Sequence, residues 1–443
     1  MIPGIGAMLK KEAMDTMNIF QELKARGFCY QQTDEEAIEK LLSSERVKFY
    51  VGFDPTGNSL HVGHLLPVMA MRLLQKAGHI PIVLVGGATA RIGDPSGKKT
   101  ARPMMTLETI AENVACLQKQ LARFIRTENG EAHFVNNADW LCSIGYIDML
   151  REVGTIFSVN RMLAQASVKS RLEDGLSFLE FNYSILQAYD FMVLNRDYGC
   201  KLEMGGQDQW GNMVAGTELI RRKLGNEVHC MTIPLLMNSN GEKFGKTAGG
   251  NNVWLDVNRT SVFDYYQFWR NSDDAQVEKL MLYFSPLPID EIHRLCDPAG
   301  NINRAKEILA YEATSLAHGE EAAREAFVTA GTRFGFADPE RKVETTSSIR
   351  NVDAGTVHAD LPTVTVTAAE LDDPAGLSVP KLLVLAGLCK TNSDGRRLIQ
   401  GNAVSIDDEK VTDVNAKITR ENFHDGAFTL RAGKKNFRRV VLG

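Results

Sequence analysis

From about residue 45 to residue 237, short β-rich runs alternate with helical patterns, and this alternation restricts the chain to few architectures. The runs "VKFYVGF", "IPIVLVGG", "AHFVNN", "KLEMGG" and "VHCMTIPLLM" are separated by stretches of helical apolar spacing, among them "TLETIAENVACLQKQLARFI", "FLEFNYSILQAYDFMVL" and "MVAGTELIRRKLG". Strands spaced by helices cannot close tight hairpins, so each crossover lays the next strand parallel to the last and helices cover the sheet. The expected fold class is α/β, a parallel sheet with crossover helices over residues 1–237. Open sheets of this kind bind ligands beyond the carboxyl ends of their strands.

At 443 residues the chain exceeds one core, and two or three domains are expected. Residues 238–260, "NSNGEKFGKTAGGNNVWLDVNRT", break the alternation with Gly, Asn and Lys and read as a loop. Residues 261–335 are helical throughout, and residues 336–377 are polar and irregular and read as a linker. Residues 378–443 read as a small α+β module carrying Arg396, Arg397, Lys434, Lys435, Arg438 and Arg439. The formal net charge of −5 advertises no polyanionic partner for the whole chain, although a local basic patch suffices for one. The seven cysteines include no Cys-x-x-Cys pair, which predicts a reducing compartment without disulfides or structural zinc. The amino-terminal stretch, with Glu12 and Asp15 and its lysines after a brief apolar run, is unlike a signal or transit peptide. No apolar run reaches membrane-spanning length, so a cytoplasmic protein away from membranes is expected.

Several stretches carry candidate chemistry. In "YVGFDPTGNSLHVGH" a strand ends in a turn, and His61 and His64 then open a helix on one face with Gly63 between them. With no third ligand at a fitting spacing they make a poor zinc site; a phosphate at the helix N-terminus suits them, and a structural pair fits equally well. In "GGATARIGDPSGKKTARP", Asp94, Lys98 and Arg102 follow a glycine-rich strand end without the spacing of a Walker loop, and a turn-former with a solvated basic rim is the plain alternative. "YSILQAYD" sets Tyr183, Gln187 and Asp190 at i, i+4 and i+7 of an otherwise apolar helix, a polar stripe that suits a pocket better than solvent. "MGGQDQWGN" ends a strand with two glycines and offers Gln207, Asp208 and Gln209 where such sheets bind ligands. "KFGKT" puts Lys243 and Lys246 on a loop, either a moving clamp for phosphate charge or an ordinary solvated loop.

Taken together and in this order, these stretches resemble the bacterial and organellar type of tyrosyl-tRNA synthetase, within the class I aminoacyl-tRNA synthetases. "HVGH" is similar to the first signature of that class and "KFGKT" to the second, while "GFDPT", "GDPSGK", "YSILQAYD" and "GGQDQWGN" resemble blocks particular to the tyrosine enzymes. The resemblance spans roughly residues 45–270, and the region "RRLIQGNAVSIDDEKV" is similar to a small RNA-binding module shared with a ribosomal protein. It implies a Rossmann-like catalytic domain, a helical anticodon-binding domain at 261–335 and a C-terminal RNA-binding domain. The implied activity is that of a tyrosine–tRNA ligase. The carboxylate of L-tyrosine attacks the α-phosphorus of ATP, giving tyrosyl-adenylate and pyrophosphate, and the acyl group passes to the 3′-terminal adenosine of tRNA(Tyr).

The nucleophile is already an anion, so catalysis rests on positioning and on stabilising charge at the phosphates. The resemblance assigns that work to His61, His64, Thr56, Lys98, Arg102, Lys243 and Lys246. It implies that Tyr50 and Asp190 hold the phenolic hydroxyl, and that Asp94, Tyr183 and Gln187 hold the α-ammonium with Thr89 and Asn137 alongside. Gly52, Asp54, Asp208 and Gln209 would line the adenosine and tyrosine sites. A buried carboxylate that needs a hydroxyl partner penalises phenylalanine, which leaves it unpaired. No permanently bound cofactor is implied; Mg²⁺ arrives with ATP as substrate, and no carboxylate cluster marks a metal cage. A homodimer is the family expectation. Gln207 departs from the family's usual Ser, and "KFGKT" is a variant of the second signature that keeps both lysines. A tryptophanyl-tRNA synthetase, a dinucleotide-forming nucleotidyltransferase and an RNA-binding protein on a synthetase scaffold are the rival readings. Tyr50 with Asp190 favours a phenol ligand over an indole.

Overall fold

The run Ile80–Val85 is apolar along its whole length and buried at every position, as a strand covered by helices on both faces requires. It lies at the heart of a computed structural model that describes residues 17–96, 104–169, 171–172, 175–237, 244–245, 252–353, 361–371, 376–433 and 436–443. The chain divides into two compact units, Met1–Gly245 with Asp273–Asp297, and Lys246–Ser272 with Pro298–Gly443.

The first unit is built on six strands: β1 (Gln31–Gln32), β2 (Lys48–Phe53), β3 (Ile80–Val85), β4 (His133–Asn136), β5 (Cys200–Gly206) and β6 (His229–Ile233). Their order is β1-β6-β5-β2-β3-β4. β2 through β6 pair in parallel, as the alternation predicts, and only the short β1 runs antiparallel on the β6 edge. The chain moves outward from β2 through β3 to β4, then returns to lay β5 on the other side of β2. That reversal opens a crevice at the carboxyl ends of β2 and β5. Tyr50 of β2 and Glu203 of β5 are partners across it.

Two helices bring side chains to the crevice. Val62–Lys76 follows β2 and buries Leu65, Leu66, Met69 and Leu74. Tyr183–Tyr198 buries Ala188, Phe191 and Leu194 and ends at Gly199, whose φ of 70° is the left-handed conformation that terminates a helix. The latter packs closely on the helix Trp210–Lys223, because a Cβ on Gly216 would stand 3.0 Å from a ring carbon of Phe191.

The helical stretch 261–335 is shared between the units. Asp273–Asp297 belongs to the first because Arg26, almost wholly buried, donates to the carbonyls of Leu282, Ser285 and Leu287, and Tyr283 Oη donates to Gly27 O. A guanidinium thereby satisfies carbonyls left open where the helix Val277–Phe284 ends.

Among the described residues, the second unit combines the helices Val262–Arg270, Ile302–His318 and Glu320–Phe334 with seven strands. These are β7 (Thr363–Val366), β8 (Leu377–Ser378), β9 (Val404–Ile406), β10 (Glu409–Lys410), β11 (Lys417–Ile418), β12 (Ala427–Ala432) and β13 (Asn436–Leu442). Five form a sheet in the order β10-β9-β12-β13-β7, and β8 pairs with β11. β7 lies within the stretch read as a linker, yet it pairs in parallel with β13, so the module's sheet draws on residues upstream of 378. Leu377, Leu382, Leu383, Ile399, Phe428, Leu430 and Val440 give the module a core of its own.

Candidate active site

His61 and His64 turn out to be a helix cap. His61 Nδ1 accepts the Gly63 N–H at 3.1 Å, and His64 Nδ1 accepts the His61 N–H at 3.1 Å, a reciprocal capping box built from imidazoles. Accepting at Nδ1 places each neutral ring's proton on Nε2. The ring centroids lie 3.9 Å apart with the planes inclined at 31°. A Cβ on Gly63 would lie 2.9 Å from His61 Cε1, which explains the glycine between them. The centre of "KFGKT" packs on the same turn: Gly245, at φ +103°, brings its Cα close enough that a Cβ there would be 3.4 Å from Gly63 N. Phe244 N–H donates to Leu236 O at 2.8 Å. Lys243, Lys246, Lys98 and Arg102 lie outside the described residues. Thr56 is exposed just beyond β2, its N–H bonded to Asp54 O, and Gly52 leaves the backbone at the end of β2 open.

The remaining polar residues of the sequence reading form two hydrogen-bonded chains in the crevice. In the first, Tyr183 Oη donates to Asp54 Oδ2 at 2.8 Å and Thr89 Oγ1 to Asp54 Oδ1 at 2.7 Å. Asn137 Nδ2 donates to Thr89 Oγ1 and to Asp190 Oδ2, and Trp140 Nε1 donates to Asp190 Oδ1 at 2.7 Å. Asp54 therefore belongs to the tyrosine-side network as well as to the strand end where ATP was expected. In the second, Gln187 Nε2 donates to Glu203 Oε1 at 2.9 Å, Asn212 Nδ2 bridges Gln187 Oε1 and Gln209 Oε1, and Gln209 Nε2 donates to Asp94 Oδ2 at 2.7 Å. Asp208 stands apart, lining with Gln207, Phe157, Arg161 and Trp210 a cavity of about 710 Å³ beside the crevice.

Glu203, Trp140 and Asn212 were missed in the sequence. Glu203 is 2 % exposed, and its carboxyl group faces the Tyr50 hydroxyl across the β2–β5 pair. A charged residue inside a strand that should be buried on both faces was the available signal. Burial raises three carboxyls in this crevice: Asp190 to about 8, against the pull of Asn137 and Trp140; Glu203 to about 7; and Asp94 to about 6. Burial also drives the Tyr50 and Tyr183 phenols well above their ordinary value, reinforced by Glu203 and Asp54 respectively, so both remain protonated donors. Among the described residues, no group of three His, Cys, Asp or Glu side chains could hold a metal ion.

The crevice thus joins a buried polar end to a close imidazole pair at a helix N-terminus. The family model of class I tRNA synthetases (W and Y) matches residues 42–335. The tyrosine–tRNA ligase of Clostridium tetani is 46% identical over 426 residues, 96% of this chain and 99% of that one. The chain belongs to the tyrosine–tRNA ligase family. Tyrosine–tRNA ligase 1 of Clostridium acetobutylicum is 47% identical over 428 residues, 96% of this chain and all of that one. A model of the tyrosine–tRNA ligase SYY-like C-terminal domain matches residues 353–440, which include β7. The solved structure of a C-terminally truncated mitochondrial tyrosyl-tRNA synthetase from Aspergillus nidulans superposes with a TM-score of 0.65 at 30% identity, covering 72% of this chain and 94% of that one. Within this tyrosine–tRNA ligase framework, the structure gives Gln207 a local role: its Oε1 accepts the Leu235 N–H at 3.1 Å, tying down the segment that leads to "KFGKT". No described helix is long and apolar enough to cross a membrane.

Proposed function

We infer that the chain is a tyrosine–tRNA ligase, activating L-tyrosine with ATP and esterifying it to the 3′-terminal adenosine of tRNA(Tyr). The observation that carries the reading is Asp190, a buried carboxylate with one lateral donor on each oxygen, facing a crevice it shares with the hydroxyl of Tyr50. The substrate phenol donates to Asp190 and accepts from Tyr50. Its α-ammonium donates to Asp94, to Tyr183 Oη and to Gln187 Oε1. Glu203 takes the amide N–H of Gln187 and Asn212 donates to its oxygen, which together fix the orientation of that amide. With both ends held, the carboxylate attacks the α-phosphorus of ATP in line, and the bond to pyrophosphate breaks. The Nε2 protons of His61 and His64 meet the charge that develops on the phosphates, with Lys243 and Lys246 closing over the pyrophosphate and Thr56, Lys98 and Arg102 alongside. Gly52 and Asp54 line the nucleoside. Mg²⁺ enters on the phosphates of ATP as part of the substrate. We assign the cavity beside Asp208 to the tRNA acceptor end, with Phe157 and Trp210 for base stacking and Arg161 for a phosphate. Incubation with tyrosine, ATP and tRNA should give the tyrosyl ester. Pyrophosphate release that leaves the tRNA unacylated would break the second half of the reading.

Gly86 supplies a check on the pocket. A Cβ there would lie 2.1 Å from Asp54 Oδ1 and 2.3 Å from Thr89 Oγ1. Gly86→Ala should therefore displace both partners, cost about 1–3 kcal/mol of stability and raise the KM for tyrosine. Thermal denaturation and initial-rate kinetics measure the two effects.

A homodimer is part of the same proposal. Tyr146, Ile147, Val159, Leu172 and Phe178 are all exposed within one stretch of the first unit, apolar surface that a second copy would cover. Phe178, at 69 % exposure, is the most open of them, and Phe178→Glu should convert the dimer to a monomer in sedimentation velocity. We place the protein in the cytoplasm.

A further inference from the structure

One arginine of the carboxy-terminal module is used inside the protein. Arg438 is 8 % exposed, out of reach of a nucleic acid. Its Nη1 and Nη2 donate to the two oxygens of Asp264 at 3.0 and 2.5 Å, and its Nε donates to Ala386 O at 3.0 Å. Asp264 belongs to the helix Val262–Arg270, and Ser261, which caps that helix, donates its Oγ–H to Asp264 Oδ2 at 2.8 Å. The residue before Arg438 makes a second junction: the Phe437 ring has the Arg333 guanidinium 3.8 Å from its centroid and the Phe334 ring at 5.6 Å. A bidentate ion pair on one helix and a guanidinium–ring contact on another thus join the module to the helical segment of the same unit. Beside this seam a cavity of about 570 Å³ is lined by Arg333 from the helices and by His424, Arg439, Thr429 and Asp407 from the module. Cationic groups of both parts face one space.

We propose that Asp264 and Arg438 are positioning residues for tRNA, holding the module on the helical segment so that Arg333, His424 and Arg439 meet one RNA backbone as a single surface. The proposal rests on the RNA-binding reading of the module. The module has its own core, so the pair is not needed to fold it; what the pair fixes is where the module stands. Two RNA contacts held at a fixed separation reinforce each other, and that gain is lost when one of them swings freely. Removing either partner leaves the other charge without its partner, which releases the junction.

The test uses the full chain as Asp264→Ala, Arg438→Ala and the double variant, with tRNA charging and tyrosine-dependent pyrophosphate exchange measured on each. Each single change should raise the KM for tRNA about tenfold or more, leaving kcat for charging and the exchange rate as in the unaltered protein. The double variant should be no worse than the poorer single, because the two residues make one interaction. Single variants with an unchanged KM for tRNA, or effects that multiply in the double, would overturn the pairing. A parallel fall in exchange would make the pair a general folding element and overturn it too. Arg439→Glu separates the layers: if it weakens tRNA binding while the pair variants do not, the clamp alone is wrong. If no variant changes tRNA binding, the RNA reading of the module is wrong.

Discussion

Asp190→Asn should lower kcat/KM for tyrosine by roughly 10- to 150-fold while leaving the poor use of phenylalanine unchanged or slightly improved. The size follows from losing a hydrogen bond to a charged acceptor, about 1.5–3 kcal/mol at 1.36 kcal/mol per tenfold. The direction follows from Asn137 and Trp140, which donate to the two Asp190 oxygens; an amide can accept only one of them and turns its own N–H groups against the other. Phenylalanine never satisfied the carboxylate and so loses nothing. The same residue sets a pH dependence. Burial holds Asp190 at about 8, against 3.8 in an unfolded chain, so across that window the ligand-free protein keeps a proton that the unfolded chain has released. Stability is then greatest at the acid end of the window and falls as pH rises toward 8. Tyrosine binding moves the other way, because its hydroxyl needs the carboxylate ionised, and the KM for tyrosine should fall as pH is raised to about 8. Asp190→Asn should remove this highest step and leave the lower ones from Glu203 and Asp94. Denaturation temperature and tyrosine KM across pH measure both limbs.

His64→Asn should slow adenylate formation by about 10²–10³-fold with the KM for tyrosine unchanged. The Asn oxygen takes the place of Nδ1 and still accepts the His61 N–H, so the helix start and the thermal stability survive. What disappears is the proton on Nε2. His64→Gln, whose amide reaches the Nε2 position, should recover part of the rate. If His64→Asn were as fast as the unaltered protein while His64→Ala merely lowered stability, the pair would be a cap and nothing more. The sequence left this question open between a structural and a ligand role, and the geometry resolves the first half of it: one nitrogen of each ring is used for structure, which orients the other.

The polar stripe Tyr183, Gln187 and Asp190 was legible because a helix puts i, i+4 and i+7 on one face and apolar neighbours bury it. The parallel sheet was legible from alternation alone. Glu203 was not, since in a strand buried on both faces no period marks which side chain enters a pocket, and its ladder partner Tyr50 lies far away in the chain. Helical spacing likewise could not tell that Asp273–Asp297 packs with the first unit, because that depends on Arg26 finding carbonyls some 260 residues on. Arg438 read as one more basic residue of the module, and only the fold reveals it paired with Asp264.

The central claim is that this crevice selects a phenol and joins its carboxylate to ATP. ATP–pyrophosphate exchange, run with each amino acid in turn, tests it most directly. Exchange should depend on tyrosine and remain at background with phenylalanine and tryptophan. Exchange that proceeds with tryptophan, or without any amino acid, while ignoring tyrosine would contradict it.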